Sequence, residues 1–137
     1  MSRRTKEGKQ LIEGREYNGV FYRRFAKDVE GRERGTIQLL DTRTEEVKQE
    51  IPTYPHINRV YRLKEGITKM FGDNPFFVEE KLDGYNVRVF RHAGSLLAAS
   101  RGGFVCPFTT EWVNIRAEEY GLHEFFDENP NLVLFGE

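Results

Sequence analysis

The sequence predicts an α+β fold, with mixed or antiparallel sheets and short helices. Three observations carry that prediction. Short runs rich in Val, Ile, Leu, Phe and Tyr have the alternating or clustered apolar pattern of strands. Gly and Asp bound these runs, as in "GVFYRRFA" and "RGTIQLLD". Only two stretches space their apolar residues at helical intervals. At 137 residues and 38% hydrophobic, the chain suffices for one domain with its own core.

"GVFYRRFA" and "RGTIQLLD" are the first two predicted strands, and "IPTYPHINRV", with two prolines, is a loop or an edge segment. In "LKEGITKMFG", Leu63, Ile67, Met70 and Phe71 recur at helical spacing and Gly72 stops the run, so a short helix is predicted. "FFVEEK" and "NVRVFR" read as strands on either side of "LDGY". "SLLAASRGGFVC" is a strand running into a glycine-rich loop. "TTEWVNIRAEEYGLHEFF" sets Trp112, Val113, Ile115, Tyr120, Leu122 and Phe126 on a helical stripe, with Thr109 or Thr110 as the cap and Gly121 as a point of bending or breakage. "LVLFGE" has the pattern of a buried strand and ends on Glu137, which suggests the front portion of a longer chain. The expected organisation is a β-rich segment over 1–62 and a core over 63–137.

Charge and composition narrow the function classes. No apolar run approaches the roughly 20 residues that span a bilayer. The start, "MSRRTKEGKQLIEGREY", lacks the apolar centre of a secretory signal. The single Cys106 excludes an internal disulfide. Together these predict a soluble, cytoplasmic protein without a membrane partner. Residues 1–65 hold 15 Lys+Arg against 11 Asp+Glu, and 66–137 hold 6 against 11. The modestly basic front half suits a polyanion as well as an ordinary mixed surface. His56, His92 and His123 lack metal-ligand spacing with one another or with Cys106. "YNGVFYRRF" has the aromatic and basic content to clamp single-stranded RNA, or forms a strand with one buried aromatic face.

Three segments carry candidate chemistry. Lys81 follows Phe76, Phe77 and Val78 at a predicted strand end, where partial desolvation would favour the nucleophilic free amine. Gly84 admits a close approach of backbone to phosphate, Asp83 can orient the amine or hold a metal-bound water, and Asn86 offers a neutral amide. Read alone, "LDG" is equally a hairpin turn. Arg101 in "SRGGF" presents a planar fork beside two glycines, which suits ribose or phosphate, although a plain Gly turn has the same sequence. Glu137 ends an apolar strand, either facing a ribose hydroxyl or metal-bound water or simply reaching solvent. No "GxxxxGK[ST]" loop is present, so a nucleotide would be held in some other way than by a P-loop.

"EEKLDGYN" resembles the nucleophile motif, "KxDG", of the covalent lysine nucleotidyltransferases: ATP-dependent DNA ligases, RNA ligases and mRNA capping enzymes. "KLDGYNVRV", then "SRGGFVCPFTT", then "LFGE" is similar to the archaeal-type ATP-dependent RNA ligases, and covers the last 60 or so residues. The resemblance implies the front portion of a nucleotidyltransferase, an ATP-grasp-like ligase domain, that uses ATP and Mg²⁺ or Mn²⁺. It implies that Lys81 forms lysyl-AMP, that Glu79 accepts from the adenine amine, and that Leu82, Gly84 and Asn86 belong to the ATP site. Arg101 would meet ribose or α-phosphate; Glu137 would meet ribose or a hydrated metal, with Asp83 as a second water-mediated metal contact. AMP would pass to an RNA 5′-phosphate, to be displaced by a 3′-hydroxyl on single-stranded RNA, in a full-length homodimer. Family members continue to further motifs, including two lysines that depress the nucleophile's pKa, so the chain by itself is expected to adenylylate weakly or not at all. A DNA ligase or capping-type enzyme shares the lysine chemistry, and a non-catalytic RNA-binding module is the remaining alternative.

Overall fold

The computed structural model describes residues 11–55, 57 and 60–137. The basic first ten residues, His56, and Asn58 and Arg59 of "YPHINRV" lie outside the described residues. The chain divides into a larger unit, which runs to Tyr54 and resumes at Tyr85, and a smaller one, Pro55–Gly84. Both antiparallel sheets belong to the larger unit, and the α+β class is as the patterning predicts. Among the described residues no helix is long and apolar enough to cross a membrane.

The first sheet is a meander of β1 (Ile12–Tyr17), β2 (Val20–Phe25), β3 (Ile37–Leu40) and β4 (Val47–Ile51). Asn18 and Gly19 take φ of 45° and 81°, which closes the two-residue β1–β2 hairpin and pairs Tyr17 with Val20. "YNGVFYRRF" is thereby a turn and a strand with Tyr22 and Phe25 buried. Register keeps the apolar set on one face, because Tyr22 pairs with Leu39 and Ile37 with Ile51. On the opposite face Gln38 accepts from Arg23 (2.7 Å) and donates to Glu50 (2.8 Å).

The second sheet has the order β6-β5-β7, from β5 (Val87–His92), β6 (Ser95–Ser100) and β7 (Leu134–Gly136). Its strand β6 is buried on both faces. Phe90, Leu97 and Ala99 pack with Tyr22, Ile37, Leu39 and Ile51 of the first sheet. Leu96 and Ala98 turn the other way, onto Val113 and Ala117 of the α2 region (α2, Pro107–Arg116) and Phe126 of α3 (Leu122–Glu128). This alternation along β6 is why its sequence reads as a continuous apolar run rather than a half-buried one. The outer edge of β6 is covered by α2. Thr110 Oγ1 accepts from the Ala98 N–H at 3.0 Å, and Asn114 donates to the Leu96 carbonyl at 3.0 Å.

Several details differ from the sequence expectation. The helical stripe is two helices, parted between Arg116 and Leu122, with Gly121 (φ 63°) at the break as its position predicts. Val113 and Phe126 are buried as expected, but Trp112, Ile115 and Tyr120 are exposed: the inward stripe of this segment is Thr110, Val113 and Ala117, at i, i+3 and i+7, and Trp112 and Ile115 lie off it. Cys106, followed by Pro107 at the first helical position, occupies the cap of α2 in place of Thr109 or Thr110. Thr110 instead points into the sheet edge. "LVLFGE" forms a three-residue strand whose Phe135 and Gly136 are exposed, so it is not a buried strand.

Among its described residues the smaller unit contains one helix, α1 (Leu63–Phe71), ending at Gly72 as predicted. Gly66 faces Val60 so closely that a Cβ would lie 2.4 Å from its Cγ1, and Phe71 stacks on Phe76 at 5.0 Å. The strand expected over "FFVEEK" does not form, and consequently "LDGY" does not close a hairpin. A strand requires a neighbour for its backbone ladder, and residues 75–86 pair with none.

Candidate active site

Within the larger unit, strand register gathers three of the candidate residues. Val87 is the shared rung of the second sheet, paired with Ser100 on one side and Gly136 on the other. One step beyond that rung stand Asn86, Arg101 and Glu137, so residues 51 positions apart in sequence share one end of the sheet. Arg101 and Glu137 are exposed there, and Asn86 is half-buried with its Oδ1 sealed from solvent and lacking a hydrogen-bond partner. An amide, an arginine and a carboxylate at one sheet end supply donor and acceptor types of the kind that suit a nucleotide's ribose and phosphates.

The loop bearing Arg101 is held from several strands. The Ser100 carbonyl accepts from Arg88 (2.7 Å), the Arg101 carbonyl from Thr53 Oγ1 (3.4 Å), and the Gly102 carbonyl from Arg24 Nε (2.8 Å). Gly35 and Gly103, with φ of 93° and 90°, let two backbones meet: a Cβ on Gly35 would lie 2.0 Å from the Arg101 oxygen. Arg24 is itself fixed by Glu13 (2.7 Å) and lies over the Phe104 ring at 4.0 Å. Its hydrogen bond holds the Glu13 carboxyl below the usual range. Arg88 is fully buried and also donates to the carbonyls of Pro52 (2.9 Å) and Gly35 (2.7 Å). Burial pushes its pKa down to about 10, which leaves it cationic at neutral pH.

An open groove of about 430 Å³ runs between the β5–β7 pair and α2, lined by Tyr85, Val87, Phe108, Trp112, Leu134 and Glu137 among others. Tyr85 bridges to Cys106, oxygen to sulfur at 3.2 Å, and that contact, with burial, raises its pKa. Cys106 is thus packed against a tyrosine. Among the described residues no three His, Cys, Asp or Glu side chains form a metal-holding group.

Glu79, Lys81, Leu82, Asp83 and Gly84 belong to the smaller unit and are all exposed. Partial desolvation of Lys81 by its apolar neighbours is therefore not what the structure has. Phe77 is 97% and Val78 85% exposed, so the side chains expected to dry the amine are themselves in solvent. Arg24, Arg88, Gly35 and Thr53 were not legible as site residues from motifs. For Arg88 a signal exists, since the alternation of "NVRVF" sets it on the same inward face as Phe90.

The RNA ligase family model matches residues 74–137. A structure of a candidate ATP-dependent DNA ligase from Aquifex aeolicus is 38% identical with a TM-score of 0.71, over 91% of this chain and 31% of that one. An archaeal ATP-dependent RNA ligase, form 1, is 35% identical with a TM-score of 0.70, over 93% and 32%. The uncharacterized protein MJ0414 of Methanocaldococcus jannaschii is 31% identical over 94% of this chain and 30% of its own length. The chain spans about a third of the length of each of these relatives. On sequence motifs, family match and fold together, the chain resembles part of the archaeal-type ATP-dependent RNA ligases, with the RNA ligase pattern in residues 74–137.

Proposed function

We propose that the chain is the front portion of an ATP-dependent RNA ligase that works through a lysyl-AMP intermediate. The observation that carries the reading is the convergence of Asn86, Arg101 and Glu137 at one sheet end, in a chain whose "KLDG" lies immediately before β5. The Lys81 amine, once deprotonated, attacks the α-phosphorus of ATP; a P–N bond forms, the α–β phosphoanhydride breaks, and pyrophosphate leaves. Transfer of this kind depends on alignment and charge neutralisation. Arg101 supplies a cation at ribose or α-phosphate, Asn86, Leu82 and Gly84 line the nucleotide, and Glu79 accepts from the adenine amine. An RNA 5′-phosphate then takes the AMP, and a 3′-hydroxyl displaces it to seal single-stranded RNA, in a full-length homodimer.

A divalent cation, Mg²⁺ or Mn²⁺, would offset phosphate charge when bound, with Asp83 and Glu137 as its water-mediated contacts. Because Lys81 is exposed here, its deprotonation is assigned to neighbouring cations of the later lysine motif rather than to desolvation. Sealing of nicked DNA is the second reading, favoured by the 38% identity to the Aquifex structure. Mass spectrometry of the complete protein after incubation with ATP and Mg²⁺ tests the chemistry: AMP on Lys81, absent in Lys81→Ala, is the expected result. Wild-type protein that never acquires the adduct would sink the reading. Comparing circularisation of 5′-phosphorylated RNA with sealing of nicked duplex DNA separates the two substrates.

A further inference from the structure

Arg88 donates to three main-chain carbonyls drawn from three separate segments: Gly35 before β3, Pro52 after β4 and Ser100 at the end of β6. Two of these carbonyls adjoin residues that touch Arg101. Gly35 meets the Arg101 oxygen through its own Cα, and Thr53, next to Pro52, donates to that same oxygen. Arg24 holds the following carbonyl, that of Gly102. Carbonyls 100, 101 and 102 are thus each gripped by a side chain from a different segment, Arg88 of β5, Thr53 after β4 and Arg24 of β2, and Arg101 itself is an exposed residue.

A buried guanidinium bound only by carbonyls is costly unless its forks are well used. In Arg88 both terminal nitrogens are used and Nε is sealed without a partner. A methionine or leucine at this inward position would pack the same space without that cost. What the arginine adds is geometric: one planar group fixes three segments at once.

We propose that Arg88, assisted by Arg24, is a positioning residue that sets the glycine-rich loop so that Arg101 is presented to the nucleotide. The inference rests on the nucleotide reading given above. Arg88 has no exposed surface, so it acts without touching the ligand. Removing it should weaken nucleotide binding only as long as Arg101 is there to be misplaced.

The test is a double-mutant cycle in the complete protein, with binding of the non-cleavable analogue α,β-methylene-ATP as the readout. Arg88→Lys keeps the charge but cannot span three carbonyls, and should weaken binding about tenfold. In an Arg101→Ala background the same change should alter binding less than about twofold. Equal losses in both backgrounds would overturn the proposal. Should Arg88→Lys not fold, the cycle runs on Arg24→Lys with the same expectation and the same overturning result. Amide exchange distinguishes failure of the nucleotide reading from failure of the clamp. If Arg101→Ala leaves analogue binding unchanged, the nucleotide reading fails. The clamp is then upheld by faster exchange at residues 102–104 in Arg88→Lys, and refuted by unchanged exchange there.

Discussion

Replacing Gly35 by alanine separates two costs that glycine avoids. Gly31 (φ 77°) and Gly35 (φ 93°) both adopt a left-handed backbone, yet a Cβ on Gly31 would meet nothing within 4 Å, whereas one on Gly35 would sit 2.0 Å from the Arg101 oxygen. Gly31→Ala should therefore cost only the conformational penalty, about 1–2 kcal/mol. At Gly35 the same penalty is joined by a forced separation, since carbon and carbonyl oxygen rest no closer than about 3.3 Å. The Arg101 carbonyl is backbone, and Thr53 Oγ1, which donates to it, would itself lie 2.9 Å from the same Cβ, so rotating one side chain does not relieve the contact. Overpacking of this kind adds about 1–3 kcal/mol. Gly35→Ala should lose about 2–5 kcal/mol in all. Urea denaturation of both variants, compared at equal m-values, measures the difference. Equal midpoints for the two would refute the claim that the loop is seated on Gly35.

Phe90, fully buried between the two sheets, should cost about 3–5 kcal/mol when truncated to alanine, read from the same denaturation curves. Thr110→Val strands the buried Ala98 N–H beneath α2 and should cost about 1–3 kcal/mol, whereas Thr109→Val, without that bond, should be near neutral. Glu13 is held below its ordinary 4.5 by the Arg24 hydrogen bond, so its contribution to stability is complete above that value and is lost as pH falls through the depressed folded value. Arg24→Met should flatten that acid limb of the stability profile; a profile as steep as wild type would contradict the assignment.

Strands with two buried faces were legible because their apolar runs are continuous, as in "SLLAAS", and "GVFYRRFA" was legible through its inward aromatics. The strands β1 and β4 were missed. "IEGREY" and "VKQEI" are mostly polar, with their pairing fixed by neighbours rather than by their own pattern, although the Asn-Gly after β1 is a strong hairpin signal. The strand expected at "FFVEEK" failed for the converse reason: its composition suits a strand, but pairing is a tertiary property. At the site, motif order alone pointed to Asn86, Arg101 and Glu137. The clamps behind them come from Gly35, Thr53 and Arg24, far away in sequence, and only the folded register reveals them.

The Val87 rung ties chemistry to folding in a way that bears on which sequence changes a lineage can accept. Inserting or deleting one residue inside β5 leaves two registers: one keeps Asn86 between its flanking partners and turns Phe90 from the interior toward the helices, the other keeps Phe90 inward and shifts Asn86 away from both partners. No frame keeps both the filled interior and the alignment of the three polar residues. Length variation among homologues should therefore be confined to the turns, such as that at Ala93 and Gly94, and absent from the strand itself.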